Sequence, residues 1–272
     1  MGTSPVTSHV TSKDGTTIAV DSVGTGPAVI LIGGAFNDRS TVAGLAAALA
    51  PQFTAVTYDR RGRVDSDDRA VAAGGGYDVQ NEVDDIAAVI GHLGGPASLF
   101  GHSSGAILAL EAALRGLPVD SVAVYEPPYR ADPELPHPPA EVRERMIALV
   151  EKGDRDGAAS LFVGDIMGLP PAAVAGMKQG PEWEFLCDKA LALPYDLELS
   201  RPWEMADCER LATLDKPVLA VYGDQTAPGL MAGTKMVAET VPGARLVVLP
   251  GEDHSVLRNP EALAPSLREF YA

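Results

Sequence analysis

Hydrophobic and polar positions along the chain follow two periods. Short, continuous apolar runs occur at Ala28 to Ile32, Phe53 to Tyr58, Ala97 to Phe100, Val122 to Tyr125, Val218 to Tyr222 and Leu246 to Leu249. Runs of this kind read as strands buried on both faces, as in a parallel sheet. Between them the spacing changes. Val79 to Leu93 places apolar residues at 79, 83, 86, 89, 90 and 93, which is helical spacing. Thr41 to Ala50 predicts a short helix stopped by Pro51. Asn259-Pro260-Glu261 predicts a helix start with a cap and a first-turn proline, running to Phe270. Ahead of these, His9 to Ser12 and Thr16 to Val23 predict a hairpin around Asp14-Gly15. The alternation of strand and helix gives an α/β fold with a mostly parallel central sheet and helices on both faces.

The rhythm breaks over residues 129–216. Helical segments near Glu141–Lys152, Asp156–Met167, Pro171–Gln179 and Pro181–Ala192 are separated by prolines, with no convincing strand. The organisation expected is a core domain over 1–128, a helical cap over 129–216 and a second core segment over 217–272. The cap would lie over the carboxyl ends of the strands, where ligands bind in such sheets. Its apolar side chains are Met146, Leu149, Leu161, Phe162, Ile166, Met167, Met177, Trp183, Phe185 and Leu186; most should pack and some line a pocket. Gly74-Gly75-Gly76 reads as a loop tip.

A length of 272 residues suits one large α/β domain with an insertion. The formal net charge of −16 argues against nucleic acid and anionic membrane surfaces as partners, and suits solubility. Cys187 and Cys208 are the only cysteines and have no metal-ligand spacing, which suggests a reducing compartment. With a polar start and no apolar run near the roughly 20 residues that span a bilayer, a cytoplasmic location is expected. Neither a metal nor a nucleotide cofactor is signalled: there is no P-loop, and Gly33-Gly34 lacks the full dinucleotide pattern.

Gly101-His102-Ser103-Ser104-Gly105 carries the chemistry. It reads G-x-S-x-G between an apolar run and the helix-forming stretch Ala106 to Leu114. Strand, sharp turn and helix is the setting of a nucleophile elbow, which lifts the serine hydroxyl out of the backbone beside free helix N–H groups. Glycines on both sides suit a tight turn where side chains would collide with strand and helix. Ser103 then needs a base, because a free hydroxyl is a weak nucleophile. His254, after the last core strand, is the candidate. His9, His92 and His137 lie in a hairpin, a surface helix and a proline-rich cap segment, and His102 is expected to point away from the elbow tip and shape the turn.

The chain resembles the α/β-hydrolase superfamily over nearly its whole length. The elbow is one of four patterns that carry the resemblance. The others are Leu31-Ile32-Gly33-Gly34-Ala35-Phe36, similar to the oxyanion loop; Asp59-Arg60-Arg61-Gly62-Arg63-Val64-Asp65-Ser66, similar to D-x-R-G-x-G-x-S; and Gly251-Glu252-Asp253-His254-Ser255, similar to the late G-x-x-H. The resemblance implies a lidded, cofactor-free serine hydrolase with a Ser, acid, His triad and an oxyanion hole. The hole would be made by the amide of Ser104 and that of Ala35, or of Phe36 beside it, with Phe36 in the substrate pocket. Gly33-Gly34 stands where the family usually has His-Gly. Val64 replaces the family's second glycine, which is expected to alter local backbone more than chemistry.

The acid is open between two positions. The family most often places it three residues after the glycine ending the seventh strand, which here is Thr226; Asp224 lies two residues early. A family variant places it after the sixth strand, where Tyr125-Glu126-Pro127-Pro128 stands. Glu126 is favoured, because two prolines fix the backbone just past it, and Asp224 is the alternative. Asp253 is expected to be a solvated loop charge.

The cap has few basic residues and none clustered, so a neutral small-to-medium ester, thioester or lactone is expected rather than a strongly anionic substrate. Carbon–carbon bond hydrolysis, perhydrolysis, or acyl transfer and cyclisation on the same triad are alternatives. A non-catalytic ligand-binding role ranks below them. The sequence leaves the oligomeric state undetermined.

Overall fold

The apolar runs assemble into an eight-stranded sheet in a computed structural model that describes residues 5–272. Residues 1–4, the start of the expected first core segment, lie outside the described residues. The strands are β1 (Val6–Thr11), β2 (Thr17–Val23), β3 (Ala28–Ile32), β4 (Thr54–Tyr58), β5 (Ala97–His102), β6 (Val119–Tyr125), β7 (Val218–Gly223) and β8 (Arg245–Leu249), in the order β1-β2-β4-β3-β5-β6-β7-β8. β2 runs antiparallel to both neighbours, and β4 through β8 are parallel. The helices are α1 (Ala43–Leu49), α2 (Arg69–Ala72), α3 (Val79–Leu93), α4 (Ser104–Leu114), α5 (Glu141–Glu151), α6 (Arg155–Leu161), α7 (Pro171–Met177), α8 (Glu182–Lys189), α9 (Leu193–Ser200), α10 (Cys208–Leu211), α11 (Pro228–Thr240) and α12 (Pro260–Tyr271).

The continuous apolar character of the central strands has a direct cause. Successive side chains of a strand point to opposite faces, and both faces are covered. From β3, Ile30 and Ile32 pack with Val83, Ile86, Val89 and Ile90 of α3 and with Ile107 and Leu110 of α4. Val29 and Leu31 pack on the other side with Leu45 and Leu49 of α1 and Leu263 and Leu267 of α12. A polar residue at any of these β3 positions would therefore be buried whichever face it took.

Helices α5 to α10 follow β6 and precede β7. They bury a third apolar cluster of their own, with Met146, Leu161, Trp183, Leu193 and Leu197, and Phe36 from the core joins it. The helix expected over Asp156–Met167 starts as α6 and changes to a π-helical turn over Phe162–Ile166. Two long helices had no reading in the sequence. α9 is almost wholly buried although it carries Asp196, Glu198 and Ser200, and α11 completes the crossover between β7 and β8. Among the described residues no helix is long and apolar enough to cross a membrane.

The loop after β4 ties the inserted helices to the core through buried arginines. Arg60 pairs bidentately with Glu82 of α3 (2.6 and 2.7 Å), and its Nη1 donates to Asp196 of α9 (2.7 Å). Arg63 donates to the other Asp196 oxygen (2.8 Å), and Arg61 pairs bidentately with Asp85. Burial alone would raise the Asp196 carboxyl, but Arg60 and Arg63 outweigh it and hold it below the ordinary carboxylate range. Lys189 pairs with Asp38 (3.3 Å), and the Tyr195 hydroxyl donates to Asp68 (2.9 Å), adding two further ties.

In the same loop Val64 holds φ +45° while 59% exposed. The valine holds a left-handed backbone that glycine adopts without cost. For a β-branched residue that conformation is strained.

Two stability outcomes follow from this loop. Val64→Gly removes strain of about 1–3 kcal/mol and gives back about 0.5–1 kcal/mol in unfolded-chain entropy. It should raise the thermal midpoint, read by calorimetry. Asp196→Ala leaves two buried guanidinium groups short of a partner and should cost about 3–5 kcal/mol in denaturant unfolding. Because the folded carboxyl titrates below its ordinary range, that stability is complete at neutral pH. It declines only as pH falls below the ordinary carboxylate range.

Candidate active site

Ser103 joins β5 to α4 with φ +57° and ψ −127°, a region L side chains rarely occupy. Its N–H donates to the Tyr125 carbonyl (2.9 Å) and its carbonyl accepts from Ala106 N–H (2.8 Å), so the strained residue is pinned from both sides. The flanking glycines have a steric reason. A Cβ at Gly101 would overlap the Gly105 carbonyl and Ala106 Cα, and one at Gly105 would overlap the Ile32 and Gly33 carbonyls. The serine is raised because α4 and β5 approach more closely than any side chain allows.

Glu126 stands just past β6 with φ +50° and is fully buried. Its Oε2 lies 2.6 Å from His254 Nδ1 and accepts from the Thr226 hydroxyl (2.8 Å), while Oε1 accepts from Gly223 N–H (2.9 Å). A carboxylate at that distance keeps the proton on Nδ1 and leaves Nε2 as the acceptor nitrogen. Asp224 is not brought to the histidine. It is exposed, and its Oδ1 accepts from Gly251 N–H (2.8 Å) and Gln225 Nε2 (2.9 Å), which holds the turn after β7. Asp253 is exposed and accepts from Ser255 N–H (2.7 Å).

The loop carrying His254 is fixed by two side chains that donate to consecutive carbonyls. His102 Nε2 lies 2.9 Å from the His254 carbonyl, and the Tyr125 hydroxyl donates to that of Asp253 (2.6 Å). Burial, with repulsion from His254, pushes His102 down to about 3, so it is neutral and its Nε2–H is the donor. Its ring stacks on Tyr125 and lies 4.7 Å, centroid to centroid, from that of His254. The sequence pointed to His102 as a residue shaping the elbow; its observed contacts are with the histidine loop.

The Gly33-Gly34 turn passes directly against the elbow. A Cβ at Gly34 would sit 2.6 Å from Ser103 Cβ and 2.9 Å from the His102 carbonyl. The loop is held by Asn37 Oδ1 accepting from Gly34 N–H (2.9 Å) and by Arg63 Nη1 donating to the Gly34 and Asn37 carbonyls (2.6 and 2.9 Å). Phe36 follows with φ +60° and meets Phe162 edge-to-face at 5.2 Å. Among the described residues the N–H groups of Ala35 and Ser104 have no hydrogen-bond partner. The Ser104 side chain is engaged elsewhere, donating to Asp196 (2.6 Å).

Ser103, His254, Ala35, Ser104 and Phe36 all open onto one cavity of about 1120 Å³ between the strand ends and the inserted helices. Phe162, Ile166, Met167, Phe185 and Leu186 supply its apolar wall, whereas Met146, Leu161 and Trp183 are buried among the inserted helices. Sequence reasoning missed Asp196, which lines the cavity and ties the inserted helices to the loop after β4. Its one signal was an acid among the apolar residues of Leu193 to Leu199, where Glu198 is a second. It also placed Thr226 at the acid's position without finding its hydrogen bond to Glu126.

The fold has counterparts in known proteins. An α/β hydrolase from Sphaerobacter thermophilus DSM 20745 is 40% identical, superposes with a TM-score of 0.88, and is matched over 97% of this chain and 100% of its own. An esterase from Exiguobacterium antarcticum shares the fold at 20% identity, with a TM-score of 0.73 and 99% of each chain covered. A hydrolase of Bacillus subtilis (strain 168), YraK, uncharacterized, is 36% identical over 93 residues, which is 34% of each chain. The sequence pattern of the Alpha/beta hydrolase family matches residues 29–266, and the chain belongs to that family.

Proposed function

We propose that this protein is a serine hydrolase of small-to-medium carboxylic esters, thioesters or lactones whose reacting portion is uncharged and flanked by apolar groups. The observation that carries the reading is His254, paired with the buried Glu126 and opening onto the same cavity as Ser103. His254 Nε2 takes the Ser103 proton as Oγ attacks the carbonyl, and Glu126 stabilises the imidazolium that forms. The amides of Ala35 and Ser104 receive the oxyanion, each contributing about 3–4 kcal/mol. Collapse of the tetrahedral intermediate expels the alcohol or thiol, protonated by His254, and leaves acyl-Ser103. In a lactone the alkoxide formed stays attached to the acyl group. Water activated by His254 then releases the acid. Helices α5 to α9 act as the cap that sizes the acyl site, with Phe36 in its wall.

The reading explains why Thr226, at the family's usual acid position, is not a carboxylate. The acid reaches the same imidazole nitrogen from β6, and the threonine hydroxyl becomes one of its donors.

Hydrolysis of p-nitrophenyl esters from acetate to decanoate should be lost in Ser103→Ala, and a fluorophosphonate probe should label the wild type only. Unchanged activity in the alanine variant, or no turnover by folded wild type, sinks the esterase reading.

The acid is tested separately. Glu126→Gln should lower kcat by about two to four orders of magnitude, with Asp224→Asn within a few-fold of wild type. Adding Thr226→Asp to Glu126→Gln restores a carboxylate near Nδ1 and should recover at least about tenfold. The reverse pattern moves the acid to Asp224.

A further inference from the structure

The charged groups lining the cavity are not equally satisfied. Asp196 is paired with Arg60 and Arg63, Glu182 lies 3.6 Å from Arg258, Asp253 accepts from Ser255 N–H, and Asp132 accepts from Glu134 N–H. Arg130 is the exception. Among the described residues no carboxylate lies within 4 Å of it, although the chain has 37 Asp and Glu against 21 Lys and Arg. Its Nη1 donates to the Trp203 carbonyl (3.1 Å), its Nε is buried with no partner, and Nη2 has no partner either. Two other arginines also lack a carboxylate. Arg155 and Arg268 instead donate to the carbonyls of Asp188 (2.7 Å) and Ala48 (3.0 Å), and neither lines the cavity.

Arg130 is also held in place. Its carbonyl accepts from Ala206 N–H (2.9 Å) and its backbone bridges to Met205, so the chain leaving β6 is clamped to the end of the inserted segment. A half-buried guanidinium in an acidic protein, with Nη2 unused, Nε sealed without a partner and a fixed backbone, is arranged for an anion that the protein does not itself provide at Nη2.

We infer that Arg130 is a specificity-determining residue that binds a carboxylate carried by the substrate, away from the bond being broken. The inference rests on the hydrolase reading and deepens it. The cavity then has an apolar wall around Phe36 and Phe162 and one cationic point at Arg130. A carboxylate fits better than a phosphate. Arg130 acts alone, since Arg258 is 77% exposed and already paired, and a planar monoanion matches a guanidinium edge. The expectation of a wholly neutral substrate is amended by one charge.

The test uses two pairs of esters matched in shape. p-Nitrophenyl hydrogen adipate is compared with p-nitrophenyl 6-methylheptanoate, which puts the charge in the acyl half. 6-Acetoxyhexanoate is compared with 6-methylheptyl acetate, which puts it in the leaving half. In at least one pair the wild type should prefer the carboxylate in kcat/KM by about tenfold or more. Arg130→Met should lose about 10- to 100-fold on that ester through KM, and stay within about threefold on its neutral partner.

An equal loss on both members would make Arg130 structural and overturn the inference, as would no carboxylate preference in either pair. If the wild type turns over none of the four and Ser103 takes no fluorophosphonate, the hydrolase reading has failed instead. Calorimetric titration with hexanoate against 1-hexanol then decides Arg130 alone. Tighter hexanoate binding that Arg130→Met abolishes supports the anion site, and equal binding removes it.

Discussion

Asp196 between Arg60 and Arg63 is the constraint on which the rest of the site depends. Both carboxylate oxygens and two guanidinium groups are sealed from solvent. Such a group is costly to desolvate and tolerable only when every member has a partner. The partners come from four places: the loop after β4, α3 through Glu82, the first turn of α4 through Ser104, and α9. The same arginines donate to the carbonyls of Gly33, Gly34 and Asn37. Displacing α9 would strand two charges, so the loop beside Ser103 and the inserted helices are fixed relative to each other. The loop beside Ser103 and the inserted helices therefore share one frame on the α9 side of the cavity.

Against that frame three non-glycine residues hold left-handed backbone: Ser103 and Phe36, which line the cavity, and Glu126, which is buried behind His254. Each sits where a chain leaving a strand end must turn at once to present a side chain inward. Conformations of this kind persist only where surrounding contacts over-determine them. Ser103 is pinned by two backbone hydrogen bonds, and Glu126 by its N–H to Val221 and by three donors on its carboxylate. Phe36 is held by packing against Phe162. The strain is spent on placing a hydroxyl, a carboxylate and an aromatic ring around one space.

The strands and the elbow were legible in the sequence because their causes are local. β3 is apolar throughout because both of its faces are covered, and Gly101 and Gly105 mark where backbones touch. What stayed hidden depends on residues distant along the chain. α9 has no clean apolar and polar faces to betray a helical period, since Asp196 is buried along with its apolar residues. Asp196 is a tie between loop and helix only because Arg60 and Arg63 arrive from more than a hundred positions away. α11 was missed although Pro228 stands at its first turn, where proline is favoured. Its moderately amphipathic stretch gave no period as clear as that of α3. The acid was only half legible. Proline after Glu126 suggested a held side chain, but proximity to His254 is a property of the assembled sheet.

On the proposed reading, the position of the acid is a matter of sheet geometry. β6 and β7 are adjacent parallel strands, so the residues just past their ends are neighbours in space although about a hundred positions apart in sequence. A carboxylate from either end can reach the imidazole that β8's following loop delivers. Once Glu126 supplies it, a second acid at 226 would place two like charges within hydrogen-bond distance, and one would be driven to protonate. A hydroxyl avoids that repulsion and adds a donor to the carboxylate. Thr226 thus complements Glu126 on that reading, its hydroxyl donating to the carboxylate whose charge a second acid would oppose.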